Sequence, residues 1–339
     1  MKPFYDLTHV GQGKRLRPLA VSVLEAFNVR AVRLRQLTAA TNIVFRVDAD
    51  DGRRFVLHMT SPKSAHSAAG VRSEVAWVRA LHRNSDITVP EPIPTPSGNF
   101  VLPLDAPALP GDWHCTLQGW VPGMQLSARL TPENVALQGR LAAKLHAHGE
   151  QFDPPDNFRI RTYRTLFPYS DPGFPNPEPI MLFDRCSVEL MPPDRIAVFR
   201  EAHDRIQEVI DRLFETRTPH VIHNDLHLWN VLIYRGRPAA LDFEDLLYGH
   251  PIQDLATTLY YYRSNERYET LLAALREGYE SVRPWPGGND RQLESLITGR
   301  GILLANFVAA SKDAAEREIA SDYLTRIEKR LKRFLETTK

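Results

Sequence analysis

Residues 220–245, HVIHNDLHLWNVLIYRGRPAALDFED, restrict the architecture more than any other stretch of the chain. His223-x-Asp225 is followed five residues later by Asn230, then by an apolar run, an Arg235-Gly236 turn, a second apolar run, and Asp242-Phe243-Glu244. Two short apolar runs about a turn dipeptide spell a β-hairpin. A hairpin brings its two ends together, and these ends carry Asn230 and Asp242. Taken singly, Asp225 and Asn230 read equally as turn-capping residues and Asp242 as a strand end. The ordered set, with its spacing, is what asks for chemistry.

Phosphoryl transfer needs few protein groups: a carboxylate to orient or deprotonate the attacking hydroxyl, and oxygen ligands to hold Mg²⁺ on the phosphates. Asp225, Asn230 and Asp242 supply that set. Mg²⁺ favours hard oxygen ligands and keeps several waters, so one carboxylate and one amide beside phosphate oxygens suffice.

The pattern H-x-D-x-x-x-x-N followed by D-F-E resembles the catalytic and metal segments of aminoglycoside phosphotransferases, choline kinases and type II homoserine kinases, relatives of the protein kinases. The resemblance implies an α+β, two-lobed protein-kinase-like fold. Its N-terminal lobe, residues 1–121, would bind nucleotide with an antiparallel sheet and one key helix; its C-terminal lobe, residues 122–339, would be mainly helical and carry catalysis and acceptor binding. Asp225 is then implied as the catalytic base, His223 as a scaffold residue that holds its loop, and Asn230 and Asp242 as the Mg²⁺ ligands. His227, two positions after the base, matches the small-molecule branch, where protein kinases usually carry a lysine. Residues 249–256, GHPIQDLA, resemble the segment after the metal aspartate, in which Asp254 is implied to be structural.

The same resemblance distributes the nucleotide. Residues 39–42, a glycine-free turn containing Thr41 and Asn42, stand where such kinases place a phosphate-covering loop. Glu74 matches the helix glutamate that pairs with a basic strand residue, but the matching strand position is His58, with Lys63 or Arg54 as alternative cations. Residues 118–123, QGWVPG, correspond to the hinge, whose backbone at Gln118, Trp120 and Val121 would hold the adenine edge. Residues 73–77 and 89–92 resemble the homoserine-kinase-like branch, so the likeness spans nearly the whole chain.

Periodicity fills in the remainder. Pro18 reads as the first turn of a helix over 18–30. Strands follow at 32–38, 42–48 and 53–59, the last two joined across Asp51-Gly52. Helix periodicity covers 68–83, and strands resume at 99–104 and 113–121. Thr131-Pro132 opens a helix that carries Leu137, Leu141 and Leu145 on one stripe. Residues 152–193 read as a long proline-rich loop, helix returns at 194, and four helical stretches occupy 251–337.

A length of 339 residues allows two lobes, and 43% hydrophobic with 24% charged residues is ordinary globular composition. A net charge of +1 gives no field to attract nucleic acid or an anionic membrane. Cys115 and Cys186 lack metal-ligand spacing and read as buried free thiols of a reducing cytosol. With no signal-like or membrane-length apolar run, the expectation is a cytoplasmic protein.

The partners expected are a nucleoside triphosphate, ATP or GTP, with Mg²⁺, and a small hydroxylated acceptor. Residues 150–200 hold eight acidic side chains against six arginines, which disfavours a purpose-built polycation site. Arg159, Arg161 and Arg164 read either as a solvated face or as readers of an acceptor carboxylate or phosphate. Of Tyr260, Tyr261 and Tyr262, at most one or two can face a ligand from a helix. His227, Trp229 and Glu244 border the expected acceptor pocket. Three readings stay open: a small-molecule kinase, a protein Ser/Thr kinase of the same fold, and a weakly catalytic nucleotide-binding module.

Overall fold

Thr8 accepts the N–H of Gly11 on its hydroxyl and opens α1, His9–Ala26. The helix therefore starts nine residues before Pro18, which lies inside it instead of in its first turn. The polar cap at Thr8 decides the start, and Pro18 is tolerated within a helix anchored by packing. This is a computed structural model, and it describes residues 2–39, 42–106, 109–183, 190–287, 290–310 and 314–337.

β1, Ala31–Ala39, pairs antiparallel with β2, Asn42–Ala49, and β2 with β3, Arg54–Thr60. The β2–β3 turn closes where expected, with Gly52 at φ 82° and its N–H donated to the Ala49 carbonyl. α2, Ala68–Asn84, follows, capped by Ser67. The short β4, Pro92–Ile93, and β5, Val101–Leu104, both pair with one edge of β6, Trp113–Gly119, whose other edge receives β3. The resulting antiparallel sheet has its own core, in which Leu16, Ala20 and Leu24 of α1 pack with Phe45, Leu57 and Trp113.

α2 belongs to the other core. Trp77, Val78 and Leu81 are buried among the C-terminal helices, and the Trp77 indole N–H donates to Nδ1 of His148 at 3.1 Å. α1 closes the sheet, while α2 carries Glu74 into the junction of the two cores. β7, Met124–Gln125, leads into α3, Pro132–Gln151, which is capped by Thr131 as its Thr-Pro start predicts.

Residues 152–192 are irregular apart from two 3-10 turns within the described residues, as the repeated prolines require. α4, Pro193–Thr216, restores the helix and ends before β8, His220–Ile222. β9, Val231–Tyr234, and β10, Arg237–Ala240, form the expected hairpin, with Arg235 and Gly236 at φ 50° and 73°. Two consecutive positive φ values match strand twist in a two-residue turn. β11, Leu247–Gly249, pairs back onto β8. α5, Pro251–Tyr262, α6, Tyr268–Glu280, α7, Asp290–Ala309, and α8, Ala314–Thr337, complete the helical part. No helix among the described residues is long and apolar enough to cross a membrane.

Candidate active site

Most polar groups of the loop before β9 are hydrogen-bonded, Oδ1 of Asn224 and Nδ1 of His227 excepted. His223 accepts the Asp225 N–H on Nδ1 at 3.3 Å and donates from Nε2 to the Leu241 carbonyl at 3.0 Å. It thereby joins the loop to the strand end that precedes Asp242. Burial holds its imidazole below the ordinary histidine range, so the ring is neutral, as a one-donor, one-acceptor bridge requires. Beneath it, Asp254 accepts the backbone N–H groups of His223 at 3.2 Å and Asn224 at 2.8 Å, and the Nε2–H of His146 at 2.9 Å. Asp254 is thus integrated into the scaffold.

Asp225 stands at the centre. Asn230 donates from Nδ2 to its Oδ2 and to its carbonyl, both at 3.0 Å. The hairpin register puts Leu241 opposite Asn230, with the Leu241 N–H donated to the Asn230 carbonyl at 2.9 Å, so Asp242 follows directly beside Asn230. Both Asn224 and Asp242 adopt left-handed conformations, φ 64° and 60°, on either side of this junction. Such positions store backbone strain that the surrounding hydrogen bonds must hold.

Carboxylates crowd the junction. Enclosure by the surrounding protein pushes Asp242 up to about 6, with Asp245 adding to it, although the residue keeps an exposed surface. Glu244 lies well above its ordinary range for the same reasons, with Asp242, Asp245 and Glu74 all contributing. Among the described residues none of Glu74, Asp242 and Glu244 has a lysine or arginine ion-pair partner. No three His, Cys, Asp or Glu side chains among them form a metal cage by themselves. A set of crowded hard oxygen donors without a protein cation among them suits a divalent cation that brings its own waters and phosphate oxygens.

Glu74 departs from the expected pairing. Burial raises it to about 8, with Asp242 adding to the shift and Gln118 opposing it. Burial also lowers His58 to about 4. At neutral pH the two are a protonated acid and a neutral imidazole, and no ion pair joins them. Lys63 lies over the Tyr5 ring at 3.5 Å, and Arg54 is exposed, so neither replaces the missing cation.

Other nucleotide-side expectations divide. Asn42 donates from Nδ2 to Glu244, which places Glu244 at the sheet side of the junction. Thr41 lies outside the described residues, as does Cys186; Cys115 is a buried free thiol. At the hinge the Trp120 N–H is already donated to the Arg54 carbonyl at 3.0 Å. Val121, just beyond, has a backbone N–H with no partner among the described residues.

On the opposite side of Asp225, His227, Trp229 and Tyr261 form an aromatic corner. Their rings meet edge to face at 4.7–5.6 Å, and Trp229 is 46% exposed. Tyr262 is buried against Gln138 and Tyr260 bonds to Tyr323, so one tyrosine of the three reaches the loop. Of the three arginines in 159–164, Arg161 is buried between Tyr169 and Phe174, contrary to a fully solvated face. Arg159 and Arg164 are exposed.

Sequence reasoning missed Arg300. From α7 it donates from Nη2 to Oδ1 of Asp225 at 2.8 Å, and it is 5% exposed. Burial pushes Asp225 well above the usual carboxylate range; Arg300 opposes that shift, while Asp245 and Asp242 add to it. The signal was the helical run Gly299-Arg300-Gly301 amid apolar residues. Glycine is unfavourable within a helix, so two of them mark a close approach. A Cβ at Gly299 would lie 2.8 Å from Leu166, and one at Gly301 3.2 Å from Tyr260.

A strained loop bearing a carboxylate, an amide one hydrogen bond away, and a second carboxylate returned by a hairpin define a kinase-like phosphotransferase. The chain belongs to the phosphotransferase enzyme family, whose model matches residues 33–285. Its fold is similar to that of a microcompartment-associated aminopropanol kinase, with TM-score 0.79, 22% identity, and 94% of this chain and 98% of that one covered. It is also similar to an amicoumacin kinase solved with AMP-PNP, Ca²⁺ and its antibiotic, with TM-score 0.70, 18% identity, and 95% and 96% covered. An aminoglycoside phosphotransferase mutant solved with ADP and hygromycin B aligns at TM-score 0.59 and 16% identity, covering 91% and 97%. Comparison with curated proteins finds no sequence match.

Proposed function

We propose that this protein transfers the γ-phosphoryl group of ATP or GTP, with Mg²⁺, to a hydroxyl of a small molecule. The observation that carries the reading is the Asp225–Asn230 hydrogen bond at 3.0 Å beside the hairpin-returned Asp242. Asp225 would orient the acceptor hydroxyl and take its proton as the oxygen bonds to the γ-phosphorus. The bond from that phosphorus to the bridging oxygen breaks, and the nucleoside diphosphate leaves. Asn230 and Asp242 would hold Mg²⁺, which when bound neutralises charge on the phosphates. His223 and Asp254 hold the loop that presents Asp225.

The sheet lobe, residues 1–121, would take the nucleotide, with the Val121 N–H facing the base edge and α2 supplying Glu74 from the junction. Residues 122–339 would hold the acceptor beside His227, Trp229 and Tyr261. Acceptors as small as the aminopropanol named for one structural neighbour suit this corner. A small acceptor is favoured over a protein because β11 pairs onto β8 between Asp242 and α5, which leaves no long activation segment. A buried free thiol at Cys115 suits a cytoplasmic location.

The test is transfer from γ-labelled ATP and GTP, with Mg²⁺, to a panel of amino alcohols, hydroxy acids, sugars and aminoglycosides. Asp225→Ala should lower transfer by about 100-fold to 10,000-fold while leaving nucleotide binding intact. Undiminished transfer by that variant would remove Asp225 from the mechanism.

A further inference from the structure

The two oxygens of Asp225 have different partners. Oδ2 accepts from Asn230, on the side proposed for the metal, and also lies 3.4 Å from Nε2 of His227. Oδ1 accepts from Arg300, whose Nη2 also lies 3.4 Å from the Tyr261 hydroxyl, and the Tyr261 ring meets those of His227 and Trp229. Among the described residues this is the only lysine or arginine ion pair made by a carboxylate of the site.

Two buried polar atoms of these residues have no partner: Nε of Arg300 and Nδ1 of His227. A guanidinium presents five N–H groups in a fork that matches carboxylates and phosphates, and here Nε is spare. As Asp225 takes the proton of the acceptor hydroxyl its negative charge is neutralised, and Arg300 is left buried without its anionic partner. A buried charge in that state is strongly disfavoured unless another anion arrives. An acceptor that brings its own anion meets this need; one without an anion leaves the guanidinium unpaired.

We propose that Arg300 determines acceptor specificity by binding a carboxylate or phosphate carried on the same molecule as the reacting hydroxyl. The acceptor is then an anionic alcohol, such as a hydroxy acid, that lies against the His227, Trp229 and Tyr261 rings. This deepens the proposed function and rests on its reading of Asp225 as the group that faces the acceptor.

Matched pairs that differ by one anionic group decide it: L-threonine with 1-aminopropan-2-ol, L-homoserine with 3-aminopropan-1-ol, and glycerol 3-phosphate with glycerol. Binding to the full chain is measured by calorimetry with a non-hydrolysable ATP analogue and Mg²⁺, so the result does not depend on turnover. The anionic member of at least one pair should bind about tenfold or more tightly than its partner. Arg300→Gln should lose that preference and Arg300→Lys should keep part of it. Preference for the amino acids alone identifies a carboxylate acceptor, and preference for glycerol 3-phosphate alone a phosphorylated one.

The proposal is overturned if the anionic members fail to bind or bind no better than their partners. A preference that survives in Arg300→Gln overturns it too. So does a variant that keeps the preference but loses the nucleotide analogue, since the guanidinium would then serve the phosphoryl group. The wild-type comparison stands alone should Arg300→Gln not fold. Failure of phosphoryl transfer to every acceptor, read in the separate labelling assay, counts against the proposed function and not against this preference.

Discussion

Asp254 on α5 accepts the backbone N–H groups of His223 and Asn224, so the loop that presents Asp225 is anchored to a helix thirty residues further along the chain. Burial alone would raise this carboxyl. The hydrogen bond from His146, with the His223 N–H, instead holds it below its ordinary value of 3.8. A buried carboxylate with three donors is an anchor whose removal leaves all three donors unpaired.

Asp254→Ala should therefore cost about 3–5 kcal/mol of stability, measured by urea denaturation at pH 7. The sign of the pH dependence follows from the depressed value. As the solution is acidified the unfolded chain takes up this proton first, so the contribution is complete above about pH 4 and declines below it. The variant should show a flatter acid limb than wild type. Equal acid sensitivity in the two proteins would show that Asp254 is not the ionised anchor.

Glu74 predicts the opposite slope. In the folded protein it stays protonated up to about 8, whereas its ordinary value is 4.5. Between these values the unfolded chain releases a proton that the folded chain keeps, so stability falls as pH rises. In nucleotide-free and metal-free protein, Glu74→Gln should match wild type near pH 5 and exceed it at pH 8 by about 1–3 kcal/mol. A variant less stable at pH 8 would mean that Glu74 is ionised and paired.

The metal reading is tested by melting temperature. With an ATP analogue bound, Mg²⁺ should raise the melting point further, and a chelator should reverse the rise. Asp242→Asn should weaken the metal-dependent increment by about 100-fold in apparent affinity, at the upper end of what losing an outer-shell partner costs. An unchanged increment would assign the metal to other oxygens.

Packing of the helical part predicts one more outcome. A Cβ at Gly278 would fall 1.9 Å from the Ala136 carbonyl oxygen, and one at Gly139 2.0 Å from that of Leu275. α3 and α6 therefore touch backbone to backbone. Gly278→Ala should force them apart and cost about 3 kcal/mol, read from the urea midpoint. A neutral substitution would mean that the helices slide freely at this crossing.

Local signals in the chain determined the hairpins, the Thr131 cap and the ordered set from His223 to Asp242, because turns, caps and catalytic loops are written in neighbouring residues. Where a local sign competed with packing it misled: Pro18 suggested a helix start, but Thr8 capped the helix earlier and the sheet held it. Tertiary structure alone decided what no spacing could encode. α2 joined the helical core, and burial without a cation left Glu74 protonated and His58 neutral, dissolving the expected pair. Arg300 reached Asp225 across 75 positions of sequence. Charge states and long-range partners depend on what burial brings together, and burial is a property of the assembled molecule.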